Sequence, residues 1–143
     1  MNKEKWQFIL ITLLSVFFGC LMINSGLNKF LQYMAHPPLE PKAKALMMAF
    51  TTAGYMWPLV AITEISGGLM VILKKTRAVG AIVLMPISVN VFALDLFLNL
   101  PMLMIGVMVL LLNVVILASE YKRLLFLVQS ETTRHQTPHQ IKS

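Results

Sequence analysis

Charge is what this chain has least of. Of its 143 residues only 13% are Asp, Glu, Lys or Arg, while 57% are apolar and the mean hydropathy is +0.74. Ordinary soluble domains carry about 25% charged residues. A surface so poor in charge excludes a water-soluble globular fold and points to a lipid bilayer as the surrounding solvent. Cysteine is equally scarce: Cys20 stands alone inside an apolar stretch, which excludes a disulfide framework, a CxxC redox pair and a thiolate metal site. The histidines, His36, His135 and His139, fall in a loop and a tail, so the apolar stretches hold no bis-histidine pair for haem and no metal site is expected. Lys and Arg outnumber Asp and Glu by 12 to 6, for a net charge of +6. These cations sit at the ends of apolar stretches and not in one run or on one face, which suits anionic lipid headgroups and argues against nucleic acid as a partner.

What the chain has in abundance is long uncharged sequence. From Trp6 to Asn28 there are 23 uncharged positions in a row, enough to cross the roughly 30 Å hydrocarbon core at about 1.5 Å per residue. The stretch exceeds the ~7–15 apolar residues of a signal peptide and no small-x-small site follows it, so a retained span is expected. The next apolar stretch, Ala45 to Leu73, has Glu64 as its one charge and is divided by Gly54 and Trp57-Pro58. Proline suits the first turn of a helix, which puts the second span at about 58–73, with 42–52 forming a short interfacial helix ahead of it. Between the first span and that helix, His36-Pro37-Pro38-Leu39-Glu40-Pro41 reads as a stiff loop. Beyond the basic turn Lys74-Lys75-Thr76-Arg77, Ala78 to Ser119 holds 42 residues with one charge, Asp95, and Asn99-Leu100-Pro101 splits it into spans at about 78–98 and 101–119.

The expected fold is therefore all-α: a transmembrane four-helix bundle over 1–128, with spans at 6–28, 58–73, 78–98 and 101–119 and a short extra interfacial helix in the first outer loop. Residues 129–143 read as a polar tail with too few apolar residues to order itself. The N-terminus, the 74–77 turn and the C-terminus together hold nine Lys and Arg against two in the 37–44 loop. The positive-inside rule then predicts cytoplasmic N- and C-termini, in a bacterial inner (plasma) membrane. Trp6 falls at the inner interface and Tyr33, Tyr55 and Trp57 at the outer one, where amphipathic rings settle.

Ionisable groups in hydrocarbon cost roughly 2.5–3.5 kcal/mol even on a mild insertion scale, so those inside spans need partners or water. Lys29, Glu64 and Asp95 all fall toward the outer half. On the first span Asn24, Ser25, Asn28 and Lys29 share an arc of about 140°. On the second, Glu64, Gly67, Gly68 and Val71 share one stripe, whose glycines admit another backbone as small residues do at transmembrane contacts. Pro86 deprives the Ile82 carbonyl of its usual partner and predicts a kink ahead of Asn90 and Asp95. On the fourth span Gly106 and Asn113 share a stripe. The pattern predicts a polar pocket with Asn24, Asn28, Lys29, Glu64, Asn90, Asp95 and Asn113 as candidates, while Gly67, Gly68, Pro86 and Gly106 serve packing. Plain alternatives stand beside these. Lys29 can snorkel to headgroups or pair with either Glu64 or Asp95, Asp95 can reach the outer surface, and the asparagines can act as interhelical hydrogen-bond glue. The 11 methionines supply adaptable core or cavity lining.

The run Gly26-Leu27-Asn28-Lys29-Phe30 closing the first span, Glu64 followed by Gly67-Gly68, and a basic turn ending in Arg77-Ala78 resemble the DoxX family of small four-span membrane proteins. The resemblance covers about residues 7–128. The chain departs from it in having Lys3 and Lys5 where many members begin with an arginine, and in a longer proline-rich outer loop. It carries over onto Gly26, which joins the packing positions, and onto Lys29, Glu64, Gly67, Gly68 and Arg77, and it supplies no catalytic residue. It implies a quinone-linked membrane subunit of an oxidoreductase complex in one branch and assemblies with soluble sulfur and superoxide enzymes in another. The function so implied is a quinone headgroup held in the outer pocket, with Lys29 and the asparagines donating, Glu64 or Asp95 relaying a proton, and a soluble or membrane redox partner nearby. The alternative is a non-catalytic scaffold whose intramembrane ion pair is structural and whose basic face docks a partner or anionic lipid. A transporter would require a homo-oligomer, since four spans without a repeat enclose no pathway.

Overall fold

The computed structural model describes residues 2–134, without the side chains of 127, 128 and 130–134. Residues 135–143, with His135, His139 and most of the expected tail, lie outside the described residues. The elements are α1 (Lys3–Leu31), α2 (Pro41–Ala53), α3 (Met56–Ile72), α4 (Arg77–Leu98), a 3₁₀ turn (Leu100–Met102) and α5 (Leu103–Arg134). Two of the helices, α1 and α4, are long and apolar enough to cross a membrane, as is the stretch Leu100–Phe126. The candidate for a fourth span is α3, which has 17 residues and is long and apolar enough only together with α2, from which it is bent by 96°. This is the all-α four-span bundle with a short extra helix that the sequence predicts.

Local chemistry explains most of the boundaries; α1 runs three residues past each end of the expected 6–28, and the start of α3 and the end of α5 also differ from expectation. Pro41 opens α2 at its first position, where a missing N–H costs nothing. Gly54, at φ 75°, ends α2 in a backbone conformation that side chains resist, and the chain turns there into α3. That helix begins at Met56 and not at Pro58: the first turn of a helix has no intrahelical use for its N–H groups, so proline is accommodated at the third position. At the other end of the chain α5 runs on to Arg134, past the start of the expected polar tail. The helix begun inside the bundle continues through Lys122 and Arg123, whose side chains suit a helical continuation as well as a stop.

The helices are neighbours in the order α1, α3, α4, α5, and the ring closes only loosely between α5 and α1. Small residues let the backbones meet. A Cβ on Gly68 would lie 2.7 Å from the Gly19 carbonyl oxygen, and one on Gly26 2.7 Å from the Ala61 carbonyl oxygen, so α1 and α3 are in near-backbone contact. Gly67 points the other way, onto Leu84 of α4, and Gly80 of α4 approaches the backbone of Val71. The adjacent glycines of α3 thus serve two different neighbours. The core between the helices is Phe18, Met22, Val71, Ala81, Leu84, Val109 and Ile116. Outward, Leu13, Phe17, Ile62, Leu69 and Leu111 are each more than half exposed, whereas Ser15, Ser88 and Asn113 are fully buried. Apolar outside and polar within is the arrangement a lipid solvent favours.

Candidate functional site

Two ends of the bundle can be distinguished. The Lys29 end holds the α1–α2, α2–α3 and α4–α5 connections; the Arg77 end holds the start of α1 and the α3–α4 turn. At the Lys29 end, Gly26 draws α1 onto α3 one turn before Lys29, and the Glu64 Cβ lies 3.3 Å from where a Gly26 Cβ would be. This close approach brings Lys29 Nζ to 2.6 Å from Glu64 Oε2. Ser25 stands beside both, accepting from Lys29 Nζ at 2.9 Å. The Glu64 side chain is 4% exposed and that of Lys29 17%, so the carboxylate is enclosed and the ammonium stands at its door. Of the alternatives open to Lys29, pairing with Glu64 is the one realised.

In front of Lys29 lies a cavity of about 430 Å³ whose lining includes Asn28, Lys29, His36, Lys44, Met48 and Trp57. Its far wall is α2, tied to α3 by Trp57, whose indole N–H donates to Thr51 Oγ1 at 3.0 Å and whose ring packs edge-on against Phe50 at 5.8 Å. Lys29 Nζ sits 6.0 Å from the Trp57 ring centroid. Asn28 has a second duty, since its backbone carbonyl accepts from Gln32 N–H and its side-chain oxygen from Met34 N–H, which closes the end of α1.

The remaining candidates do not converge on this cavity. Asn24 is exposed, where the Tyr33 hydroxyl bonds to it and it donates to Met34 Sδ. An arc of about 140° is wider than the inward face of α1, and Asn24 lies at the edge opposite Lys29. Asn90 is also exposed. It is two residues, and hence about 200°, from the buried Ser88. Asp95 is buried and placed elsewhere: its carboxylate lies beside the Asn99 side chain and the Gly106 backbone at the start of α5. A Cβ on Gly106 would meet the Asp95 carboxylate at 2.8 Å, so the glycine makes room for that carboxylate. Asn99 Oδ1 in turn accepts from Glu40 N–H at 3.4 Å, linking the α1–α2 loop to the α4–α5 corner.

Asn113 serves α4. Its carboxamide nitrogen donates to the Ala81 carbonyl at 3.1 Å and its oxygen accepts from Met85 N–H at 3.2 Å and Ser88 Oγ at 2.9 Å. These backbone groups flank the turn that Pro86 interrupts. A side chain from α5 therefore supplies polar partners where proline weakens the α4 ladder.

Arg77 has a larger role than a topological charge. It is 2% exposed, its Nε donates to the Val71 carbonyl at 3.2 Å, and its Nη1 faces Glu120 Oε1 at 3.6 Å. Arg123 stands 3.8 Å from the other Glu120 oxygen and donates to the Lys74 carbonyl. Both arginines thus reach carbonyls at or just beyond the end of α3. Glu120, Arg123 and Asn99 were all readable as charged or polar residues beside spans, and their spacing from Arg77 and Asp95 in sequence conceals the contacts.

Compared with known proteins, the chain matches the family described as DoxX over residues 10–118. No curated protein and no solved structure matches it.

Proposed function

The chain belongs to the DoxX family, and on that premise we propose that it is a quinone-linked membrane subunit of an oxidoreductase complex, with a quinone headgroup held in the cavity beneath α2. The observation that carries this reading is the Lys29–Glu64 contact of 2.6 Å at the edge of a cavity of about 430 Å³. That volume is in the range of small-molecule sites, about 300–1,000 Å³. Lys29 has three N–H donors and uses two, on Ser25 and Glu64, which leaves one for a carbonyl oxygen in the cavity. Trp57 offers a flat apolar wall for a ring, and Asn28 and Lys44 offer further polar contacts. These residues fit a ring bearing carbonyl oxygens.

A bound quinone would supply two-electron, two-proton redox chemistry, with electrons from a soluble or membrane partner. The chain's own part is to bind and to handle the proton. Lys29 Nζ orients the ring oxygen, and Glu64 Oε2, in hydrogen-bond contact with that ammonium, holds a proton shuttled through it. The excess of nine cations at the termini and the 74–77 turn over two in the 37–44 loop supports cytoplasmic termini and a plasma-membrane location. In mild detergent a soluble ubiquinone or menaquinone headgroup analogue is expected to raise the melting temperature of the purified chain, and Lys29→Met to remove the rise. No rise in the unaltered chain overturns the reading.

One observation favours a second reading. Glu64 lies behind Lys29 and does not itself line the cavity, as a purely structural pair in a non-catalytic scaffold would have it. In that case Glu64→Gln lowers the folded yield, and quinone-linked respiration is unchanged in cells carrying the protein that folds.

A further inference from the structure

The Arg77 end has a second opening, independent of the Lys29 cavity. Where the ring closes loosely between α1 and α5, a cleft of about 480 Å³ has a lining that includes Glu4, Phe8 and Ile11 of α1, Lys74 of the α3–α4 turn, Arg77 at the start of α4, and Glu120 of α5. Its charges are balanced, two cations and two carboxylates, and they differ in how far they are already satisfied.

The Arg77 guanidinium is held from behind by its Nε bond to Val71, while Nη1 stands 3.6 Å from Glu120, beyond ordinary hydrogen-bond reach. A buried guanidinium with its Nη fork so loosely engaged is suited to a planar, two-oxygen acceptor such as phosphate. Lys74 Nζ lies 4.4 Å from the centroid of the Phe8 ring. Among the described residues Lys74 has no carboxylate partner, and neither does Glu4 have a cation.

A phosphate alone would meet two carboxylates as well as two cations, and a simple cation the reverse. A group that carries both signs satisfies the whole lining. The α1 wall runs from Glu4 to Phe8 and Ile11, charged to apolar along one stripe, so its occupant should have an apolar end as well. We propose that this cleft binds the headgroup of a phospholipid with a primary ammonium, phosphatidylethanolamine: its phosphate on Arg77 and Lys74, its ammonium on Glu4, and its acyl chains along the α1–α5 seam. Phosphatidylcholine shares the phosphate but its quaternary ammonium has no N–H for Glu4, and phosphatidylglycerol lacks the cation altogether.

The test is native mass spectrometry of the full chain in detergent, titrated with phosphatidylethanolamine, phosphatidylcholine and phosphatidylglycerol of identical acyl chains. Phosphatidylethanolamine is expected to be retained about tenfold better than either, the effect of one charge-assisted hydrogen bond. Glu4→Gln should bring it down to the level of phosphatidylcholine, and Lys74→Gln should weaken all three. Both residues are exposed, so the fold survives, which helical circular dichroism checks. Equal retention of the three lipids, preference for phosphatidylglycerol, or a phosphatidylethanolamine preference untouched by Glu4→Gln would each overturn the assignment. Because no quinone enters the experiment, its outcome is separate from that of the proposed function.

Discussion

The two ends of the bundle handle charge in opposite ways. At the Lys29 end one ammonium meets one carboxylate across two helices at 2.6 Å, with a serine hydroxyl accepting a second of its bonds. At the Arg77 end two arginines share Glu120 at 3.6 and 3.8 Å, and both also bond a backbone carbonyl, Val71 for one and Lys74 for the other. The difference follows from where each charge stands on its helix. Glu64 is in the middle of α3, where backbone groups are occupied by the helix itself, so its partner must come from another helix. Arg77 and Arg123 stand beside the end of α3, where the last carbonyls are free, and cations there can close a helix as well as pair. An ion pair inside a span is thus an obligate dyad, and one at a span's end is a divisible network.

Removing one member from each end tests this contrast. The largest loss is expected from Glu64→Ala, which leaves the part-buried Lys29 ammonium at the cavity edge without its carboxylate; breaking a buried pair costs about 3–5 kcal/mol. Reversible unfolding in mixed micelles measures it, and the double change Lys29→Met with Glu64→Leu should recover most of the loss, since an apolar pair needs no partner. Arg77→Met should cost less, about 1–3 kcal/mol in the same assay, the penalty for a buried acceptor left without its donor. Glu120 keeps Arg123 in that variant. If Arg77→Met proves as damaging as Glu64→Ala, the network is not divisible and the contrast fails. The smallest effect belongs to Arg123→Gln: the side chain is 41% exposed, and exposed pairs are worth about 0–1 kcal/mol. Raising the salt concentration should shrink that loss and leave the Glu64→Ala loss nearly unchanged, because enclosed pairs are little screened.

Helical spacing made the fold and part of the site legible. Uncharged stretches of span length, broken by Gly54 and Asn99-Leu100-Pro101, mark the four crossings, and the stripe Glu64, Gly67, Gly68 and Val71 is buried throughout. Spacing reports the face and depth of a residue but not which helix lies opposite. It therefore leaves Lys29 with two carboxylates to choose from, and the choice rests on Gly26, which draws α1 against Glu64. Asp95 sits against the backbone of Gly106 at the start of α5, and a backbone neighbour is not written in side-chain identity. Asn113 looks like a ligand contact because its partners, the Ala81 and Met85 backbone groups, become available beside a proline on another helix. Gly19 lies one turn after the buried Ser15 with no charged residue near it, and its partnership with Gly68 shows only when the two helices are brought together.

The short helix α3 has a consequence for the membrane as well as for the protein. Its 17 residues rise about 26 Å at 1.5 Å per residue, less than the roughly 30 Å of an average hydrocarbon core, and the 96° bend into α2 prevents it from being lengthened at that end. On the opposite side of the bundle the Leu100–Phe126 span has 27 residues and no such deficit. Hydrophobic mismatch is therefore uneven around the circumference: the leaflets draw together beside α3 and relax toward α5, at fractions of a kcal/mol per Å. The molecule carries its own gradient of bilayer thickness, and thinner membranes, or neighbours with an equally short flank, are its energetically preferred company.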